Sequence, residues 1–368
     1  MANLPNKEPI RPNIGNIKPY VPGKPVEEVM REFRVSDVIK LASNENPLGP
    51  SPKALEAITK YSKDINLYPD QNSFELTGVI AEKLDLSPDN VIVGNGTDEI
   101  MMLTALAYIS AGDEVVVSLN TFSTYETVSK LMEASIIRVN LKNYRYDLDA
   151  MASATGERTK LVFVCNPNNP TGTMNTQKEM DQLISKVPAN TIVFIDEAYR
   201  DYVESREFPS SIDYVKSKKN VIVTRTFSKI YGLAGLRVGY GVAKPEIIRY
   251  LNLVRMPFSV NRLAQYAALS SIADNFHIEA SKKNNREGKA LLYEELDKLG
   301  LSYIKTEANF ILINLNDDAD MVFMQMMRRG VIIRPLTSFG LPGAIRVTIG
   351  TPEQNKRFLH VLKEVIRK

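Results

Sequence analysis

The chain has 368 residues, of which 44% are hydrophobic and 24% are charged, an ordinary balance for a globular protein with a sizeable core. At about 150 residues per domain, this length predicts two domains or one large α/β unit. The 46 Lys and Arg residues and 43 Asp and Glu residues leave a formal net charge of +3, which excludes the strongly basic field of a nonspecific nucleic-acid binder.

Cysteine and histidine are scarce in this chain. Cys165 is the single cysteine, so it forms no intrachain disulfide, and with His277 and His360 it supplies too few ligands for a usual Cys/His zinc site. Both histidines lie in charge-rich helical stretches, which predicts surface positions for them. The sequence contains neither a run of about 18 apolar residues nor a signal-peptide pattern at its proline-rich start. We therefore expect a soluble, cytoplasmic protein with no metal ion, no membrane and no nucleic-acid partner.

Taken in chain order, the predicted elements begin with an extended proline-rich arm and a strand at 37–42 that has no local partner. From residue 50 onward, short apolar runs alternate with helical patterns. The predicted strands cover residues 90–93, 114–118, 135–139, 161–165, 191–195 and 220–224, and helices are predicted at 98–111, 121–134 and 176–187. Apolar residues occupy both alternating positions of most of these strands, so we expect helices on both faces of a mostly parallel sheet.

The pattern changes after residue 261. One long amphipathic stretch at 262–299 precedes predicted strands at 310–314, 331–334 and 345–349 and helices at 319–329 and 352–367. This rhythm is typical of a smaller α+β domain. The predicted fold class is therefore α/β, with a large domain over residues 50–261 and a smaller domain formed by residues 1–49, including the N-terminal arm, and 262–368.

Lys229 follows an apolar strand, and glycines stand after it at positions 232, 235, 239 and 241. Small residues after a strand let the backbone approach a bound anion closely. Thr226, Ser228 and Arg237 add two hydroxyls and a cation to the same segment. By itself this pattern more often indicates a solvated lysine in a polar loop, and a reactive amine beside a phosphate site is the alternative.

Three further segments also follow predicted strands. Asp196 ends a strand at the edge where parallel sheets place their ligands, although a helix N-cap is by itself the commoner role of such a residue. The Pro-, Asn- and Gly-rich segment 166–172 by itself predicts only a turn. Segment 94–99 opens a helix whose first N–H groups favour a phosphate. It is not a dinucleotide fingerprint, because Glu99 stands where the third glycine would be.

Four motifs in a fixed order carry a resemblance over essentially the whole chain. They are Gly96-Thr97-Asp98, Asn169-Pro170-Thr171-Gly172, Asp196-Glu197-Ala198-Tyr199, and Thr226-Phe227-Ser228-Lys229 with Arg237. This set and its order resemble the pyridoxal-phosphate aminotransferases of the aspartate aminotransferase fold. The resemblance implies fold type I, in which a mostly parallel seven-stranded sheet covered by helices forms the large domain.

Further segments resemble the histidinol-phosphate aminotransferase branch of that family. They cover residues 17–23, 41–50, 67–70, 234–240 and 345–351. This branch implies that L-histidinol phosphate and 2-oxoglutarate are converted to imidazole acetol phosphate and L-glutamate in histidine biosynthesis. Aromatic amino-acid aminotransferases and threonine-phosphate decarboxylases share many of these segments, so both activities remain alternatives.

The resemblance also implies roles around pyridoxal 5'-phosphate. Lys229 would bond covalently to the cofactor and move the substrate proton, and Asp196 would pair with the pyridine nitrogen. Asn169 and Tyr199 would hydrogen-bond the phenolic oxygen, while Phe122 would stack on the ring. The residues implied at the phosphate are Thr97, Asp98, Thr226, Ser228 and Arg237.

Substrate and subunit contacts follow from the same resemblance. Tyr68 resembles a tyrosine that reaches the cofactor phosphate from the partner subunit, which implies a homodimer. Arg334 and Arg346 resemble arginines that grip the anionic group of the substrate through bidentate hydrogen bonds, with a structural salt bridge as their alternative role. Tyr20 and Asn169 are expected to add substrate contacts.

Overall fold

The computed structural model describes residues 10–366 except Lys18, Tyr20, Val21 and Asn316. The helices are α1 (Val26–Phe33), α2 (Pro52–Tyr61), α3 (Phe74–Leu84), α4 (Thr97–Tyr108), α5 (Thr124–Leu131), α6 (Leu148–Ser153), α7 (Gln177–Lys186), α8 (Ser211–Lys216), α9 (Pro245–Leu253), α10 (Arg262–Ile272), α11 (Asn275–Lys298), α12 (Ala319–Met327) and α13 (Pro352–Ile366). Within the described ranges, none of these helices has the length and apolar character needed to cross a membrane.

The strands define a main sheet, a smaller sheet and two short pairs. They are β1 (Ile39–Lys40), β2 (Val91–Gly94), β3 (Glu114–Ser118), β4 (Ser135–Val139), β5 (Leu141–Lys142), β6 (Arg145–Tyr146), β7 (Thr159–Cys165), β8 (Ile192–Asp196), β9 (Val221–Thr226), β10 (Gly239–Ala243), β11 (Ser302–Ile304), β12 (Phe310–Asn314), β13 (Val331–Ile332), β14 (Arg334–Pro335) and β15 (Ala344–Thr348).

The main sheet has seven strands in the order β2-β10-β9-β8-β7-β3-β4. The pairs from β9 to β4 are parallel, whereas β10 runs antiparallel to both of its neighbours. Strands β2, β8, β9 and β10 are buried at every position, which requires that both faces of the sheet be covered. The predicted fold class, with its mostly parallel seven-stranded sheet, is confirmed.

Strand β10 is the element of the main sheet that the sequence pattern missed. The sequence pattern predicts that its glycines lie in a loop near a bound anion. In the structure they instead allow α4 to pack closely against the strand. A Cβ at Gly241 would lie 3.1 Å from Cγ2 of Ile100, and a Cβ at Gly239 would lie 3.0 Å from the backbone nitrogen of Thr97. The glycines therefore bring the first turn of α4 against the sheet.

The second unit is built on the antiparallel sheet β11-β12-β15-β14. Strand β1 has its partner in this part of the chain, because Ile39 pairs in parallel with Val331 of β13. Leu41 lies in the same apolar core as Val347 and Phe358. The predicted single strand at 331–334 is two strands that belong to different sheets, since β13 pairs with β1 and β14 pairs with β15.

The predicted amphipathic stretch at 262–299 was wrong as one continuous element. It is interrupted between α10 and α11, where the Asp274 side chain accepts a hydrogen bond from the backbone nitrogen of His277 and caps α11. Ala264 and Ala268 of α10 lie in the core of the main sheet. The core of the larger unit therefore includes residues of α10, which follows residue 261. The domain division at residue 261 stays a prediction.

The prediction that both histidines lie at the surface is confirmed for His360 and wrong for His277. His360 is exposed and lies 3.3 Å from Glu364. His277 is 8% exposed, so its surface prediction was wrong. It occupies the buried face of α11 together with Ser281 and Asn285, because residues four apart on a helix share a face.

Candidate active site

A cavity of about 530 Å³ lies where β7, β8 and β9 end, and residues of the second unit complete its lining. The predicted site residues that line it are Thr97, Asp98, Phe122, Asn169, Asp196, Tyr199, Thr226, Ser228, Lys229, Arg237, Arg334 and Arg346. The carboxyl ends of parallel strands meet at one edge of a sheet, which is where such folds hold ligands. The fold thus gathers side chains from distant segments into one site.

Among the described residues, Tyr68 is the predicted site residue that does not line this cavity. Tyr20 lies outside the described residues. Tyr68 is 78% exposed and stacks on Phe258 with ring centroids 4.6 Å apart, while the backbone oxygen of Tyr68 accepts a hydrogen bond from Arg262. Its hydroxyl-bearing ring is therefore presented at the surface of this chain.

Asp196 is a buried carboxylate at the last position of β8. Its Oδ2 accepts a hydrogen bond from the Tyr125 hydroxyl at 2.8 Å, and its Oδ1 accepts one from the backbone nitrogen of Ala198 at 3.1 Å. Burial raises the pKa of Asp196 to about 6, although these two hydrogen bonds oppose the shift. Both donors are neutral, so a cationic N–H at this carboxylate would favour its charged form.

Lys229 stands three residues after the end of β9, with its amine inside the site. Its Nζ donates a hydrogen bond to the Ser43 carbonyl at 3.1 Å and lies 5.6 Å from the centroid of the Tyr199 ring. Burial lowers the pKa of Lys229 to about 8, and the positive charge of Arg346 acts in the same direction. The neutral amine, which is the form that attacks a carbonyl or accepts a proton, is thus accessible near pH 8.

Arg237 forms a cationic pole at the start of α4. It donates hydrogen bonds to Ser228 Oγ at 3.4 Å and to Asp98 Oδ2 at 3.1 Å. Gly96 precedes the helix with φ of +76°, and a Cβ there would lie 2.7 Å from the Arg237 guanidinium, so a side chain at this position would displace the arginine. The first turn of α4 adds backbone N–H groups, which favour a bound phosphate.

Arg334 and Arg346 form a second cationic pole. They are directly opposite each other on β14 and β15, so their side chains share one face, and both are buried. Arg346 donates to Oδ1 of Asn169 and to the Ala42 carbonyl, and its guanidinium lies 5.3 Å from the centroid of the Phe310 ring. Two guanidinium groups on one face can present several N–H donors to a single anion.

Tyr199 lies beside these arginines and is held by the segment that follows β1. The amide nitrogen of Asn44 donates to the Tyr199 hydroxyl at 3.0 Å. Burial raises the pKa of Tyr199 above its ordinary value, so the side chain remains a protonated phenol at neutral pH. It can therefore donate a hydrogen bond to an oxyanion in the cavity.

Sequence reasoning missed Tyr125, Ser43 and Asn44. Segment 41–50 stood out by its resemblance to a family, a signal that could have led to Ser43 and Asn44. Tyr125 gave no such signal, because a fully buried aromatic residue on a helix has the pattern of an ordinary core position.

Comparison with known proteins identifies the family of this chain. The profile of the family described as "Aminotransferase class I and II" matches residues 36–362. The chain belongs to this family.

Relatives of this aminotransferase narrow the assignment to the histidinol-phosphate branch. It is 53% identical to the histidinol-phosphate aminotransferase of Moorella thermoacetica, over 97% of this chain and 92% of that protein. It is 45% identical to histidinol-phosphate aminotransferase 2 of Carboxydothermus hydrogenoformans, over 97% and 99% of the two chains. A solved structure of the Sinorhizobium meliloti histidinol-phosphate aminotransferase, in complex with pyridoxal-5'-phosphate, is 26% identical and matches with a TM-score of 0.89 over 98% of each chain. These matches confirm the family resemblance.

Proposed function

We propose that this aminotransferase uses pyridoxal 5'-phosphate to convert L-histidinol phosphate and 2-oxoglutarate to imidazole acetol phosphate and L-glutamate, a step of histidine biosynthesis. The observation that carries the substrate assignment is the pair Arg334 and Arg346, two buried cations opposite each other at the cavity that contains Lys229. Both amino donor and amino acceptor present an anionic group to such a pair. Relatives named for the histidinol phosphate reaction support the same substrate.

The groups present fit the cofactor. A buried carboxylate with neutral partners suits a protonated ring nitrogen, and the pole at Arg237, which depends on the missing Cβ of Gly96, suits a phosphate. When bound, pyridoxal phosphate supplies an electron sink for negative charge at the substrate Cα. The residues that would hold it are Lys229 by a covalent bond, Asp196 at the ring nitrogen, Phe122 on the ring, Asn169 and Tyr199 at the phenolic oxygen, and Thr97, Asp98, Thr226, Ser228 and Arg237 at the phosphate.

Lys229 and Asp196 have different roles in proton transfer. Lys229 Nζ, which would hold the cofactor covalently before the substrate binds, would then accept the proton of the substrate Cα and hold it for return. This transfer requires a neutral amine, and burial lowers the Lys229 pKa to about 8 for that purpose. Asp196, in its charged form, keeps the ring nitrogen protonated. Tyr125 orients this carboxylate through its hydroxyl.

Arg346 orients the substrate relative to these groups. Its guanidinium is positioned by the Ala42 carbonyl at 2.6 Å and by Asn169. A planar guanidinium held in this way presents a fork of N–H donors to a phosphate or carboxylate. Arg334 supplies a second donor group from the neighbouring strand. The pair thereby fixes one end of the substrate while Lys229 acts at its Cα.

Spectroscopic half-reactions test the assignment. The cofactor-loaded enzyme is mixed with L-histidinol phosphate, L-phenylalanine or L-threonine phosphate, and the loss of the cofactor's visible absorbance is followed. We expect the largest kcat/KM with histidinol phosphate. A larger value with phenylalanine would favour an aromatic amino-acid aminotransferase, and release of carbon dioxide from threonine phosphate would favour a decarboxylase.

Arg334 and Arg346 are expected to bind the phosphate group of histidinol phosphate. Each makes charge-assisted hydrogen bonds worth about 1.5–3 kcal/mol, so Arg334→Met or Arg346→Met is expected to lower kcat/KM for histidinol phosphate about 10- to 100-fold. Removing the phosphate from the substrate is expected to cost the wild type far more than it costs the double variant. We would measure kcat/KM for histidinol phosphate and histidinol in all four backgrounds. Equal discrimination by wild type and double variant would exclude this role.

We also propose that the enzyme is a cytoplasmic homodimer in which Tyr68 reaches the site of the partner. The exposed ring of Tyr68 supports this, together with the exposed ring of Phe258 on which it stacks. Exposed apolar side chains that contact one another are typical of a surface that another chain covers. The cytoplasmic location is supported by the biosynthetic relatives and by the single thiol of Cys165.

Hybrid dimers test the Tyr68 contact. Lys229→Ala and Tyr68→Phe homodimers are each expected to be impaired, and dissociation and reassociation of a mixture would form hybrids. If Tyr68 acts across the interface, each hybrid contains one intact site, so activity is regained toward half the wild-type value per hybrid. If Tyr68 acts within its own subunit, mixing restores nothing. Size-exclusion chromatography with light scattering verifies that the dimers form.

A further inference from the structure

We propose that Glu45 is a specificity-determining residue that accepts a hydrogen bond from the imidazole N–H of the substrate. This inference rests on the proposed function and deepens it by naming the residue that recognises the imidazole ring of the substrate. Glu45 lines the same cavity as Lys229, Arg334 and Arg346. Its side chain is 41% exposed, so a carboxylate is accessible from within the cavity.

The backbone on both sides of Glu45 is held in place. The side chain of Asn44 donates to the Tyr199 hydroxyl at 3.0 Å, and the side chain of Asn46 donates to the Ile230 carbonyl at 2.7 Å. Both neighbours of Glu45 are thus tied to residues of the main unit that flank the catalytic groups. A carboxylate on such a preorganised segment binds a ligand without the entropic cost of ordering a loop.

Lys40 orients the Glu45 carboxylate from outside the cavity. Its Nζ donates to Oε1 of Glu45 at 2.7 Å, and Lys40 lines a separate cavity of about 300 Å³ on which Glu45 also borders. A carboxylate offers about four acceptor positions, so the contact with Lys40 leaves capacity for a substrate N–H. The lysine therefore positions the acceptor without occupying the substrate side.

The other acidic residues of the cavity have different partners. Asp98 forms an ion pair with Arg237, and Asp196 accepts a hydrogen bond from Tyr125. Both carboxylates belong to the groups proposed to hold the cofactor.

The negative charge of Glu45 also influences the pKa of the reacting amine of Lys229. Burial and Arg346 lower the pKa of Lys229, and the charge of Glu45 opposes them. A carboxylate near the amine and a pair of arginines in the same cavity give the site two poles of opposite charge.

Histidinol phosphate matches these two poles. Its phosphate suits Arg334 and Arg346, and its imidazole, which titrates near pH ~6.5, carries at least one N–H in either protonation state. Glu45 would accept that hydrogen, and the bond gains charge assistance when the ring is protonated. A phenyl or methyl group offers no donor and would leave the carboxylate partly desolvated and unpaired, which is how polar sites reject such analogues.

Single-turnover kinetics on cofactor-loaded enzyme test the inference with two matched substrates. Phenylalaninol phosphate carries the same phosphate as histidinol phosphate but has a phenyl ring in place of the imidazole. We expect Glu45→Leu to raise the Kd of histidinol phosphate about 10- to 100-fold, with a smaller change in the limiting rate. Phenylalaninol phosphate is expected to bind the variant as tightly as the wild type or more tightly. Glu45→Gln, which keeps an acceptor oxygen but no charge, should give an intermediate Kd.

Glu157→Gln is the matched control, because it removes one negative charge from an exposed position outside the cavity, and it should leave both Kd values unchanged. Equal losses for both substrates in Glu45→Leu would indicate a structural role and overturn the inference, as would no loss for either. Failure of the unmutated enzyme to react with histidinol phosphate would instead refute the proposed function, and with it this inference.

Discussion

Lys229→Ala is expected to abolish transamination and the visible absorbance of the bound cofactor. The variant loses both the covalent bond to the cofactor and the base that moves the Cα proton, and a lost acid–base group alone costs up to about 10⁴-fold. Turnover and the absorbance spectrum of purified, cofactor-loaded protein are the measurements. Lys178→Ala, at an exposed position on α7, is the control and should keep both properties. A Lys229→Ala enzyme with normal turnover would exclude the assignment of the amine.

The lowered pKa of Lys229 adds a pH dependence to this prediction. The amine loses its proton as the pH rises through about 8, whereas an ordinary lysine does so near pH ~10.4. The rate at which cofactor-free protein bonds to added cofactor should therefore rise with pH and level off above about pH 8. Stopped-flow absorbance measures this rate. A continued rise toward pH ~10 would show that the cavity does not shift the pKa of the amine.

Asp196→Asn is expected to lower transamination by at least about 10²-fold, a loss comparable to removing one charge-stabilising group from an active site. Asparagine cannot serve as the counter-charge of a protonated ring nitrogen, so negative charge at the substrate Cα is less stabilised. The substitution is nearly isosteric, and the fold is expected to persist. Steady-state kinetics measure the effect. Near wild-type rates would show that Asp196 only organises the backbone at Ala198.

The same substitution is expected to stabilise the cofactor-free protein. Burial raises the folded-state pKa of Asp196 from 3.8 to about 6, so the folded state holds its proton more tightly than the unfolded state. The free energy of unfolding therefore falls as the pH rises from about 4 to above 6, by about 3 kcal/mol in all. Asp196→Asn has no charge to bury and should avoid this loss. Urea unfolding at pH 4.5 and pH 8 should show a much larger advantage of the variant at pH 8.

The sequence by itself determined every strand of the main sheet except β10. Strands β3, β4 and β12 begin and end at the predicted residues, because a short run rich in β-branched residues between turns is a local signal of a strand. Asp196 could be placed at the site because it ends such a strand, whereas Thr226 was placed there by the motif that it shares with Lys229. The chemistry of Lys229 followed from its neighbours in sequence and from a family resemblance.

Contacts between distant segments were decided only by the tertiary structure. Arg334 and Arg346 could be found in the sequence, but their opposition depends on the pairing of β14 with β15. The partner of Asp196, Tyr125, is 71 residues away in the chain. The burial of His277 and the pairing of β10 likewise depend on what packs against them. Local patterns encode which residues are apolar or reactive, whereas the neighbours that shift a pKa or oppose a charge are set by long-range packing.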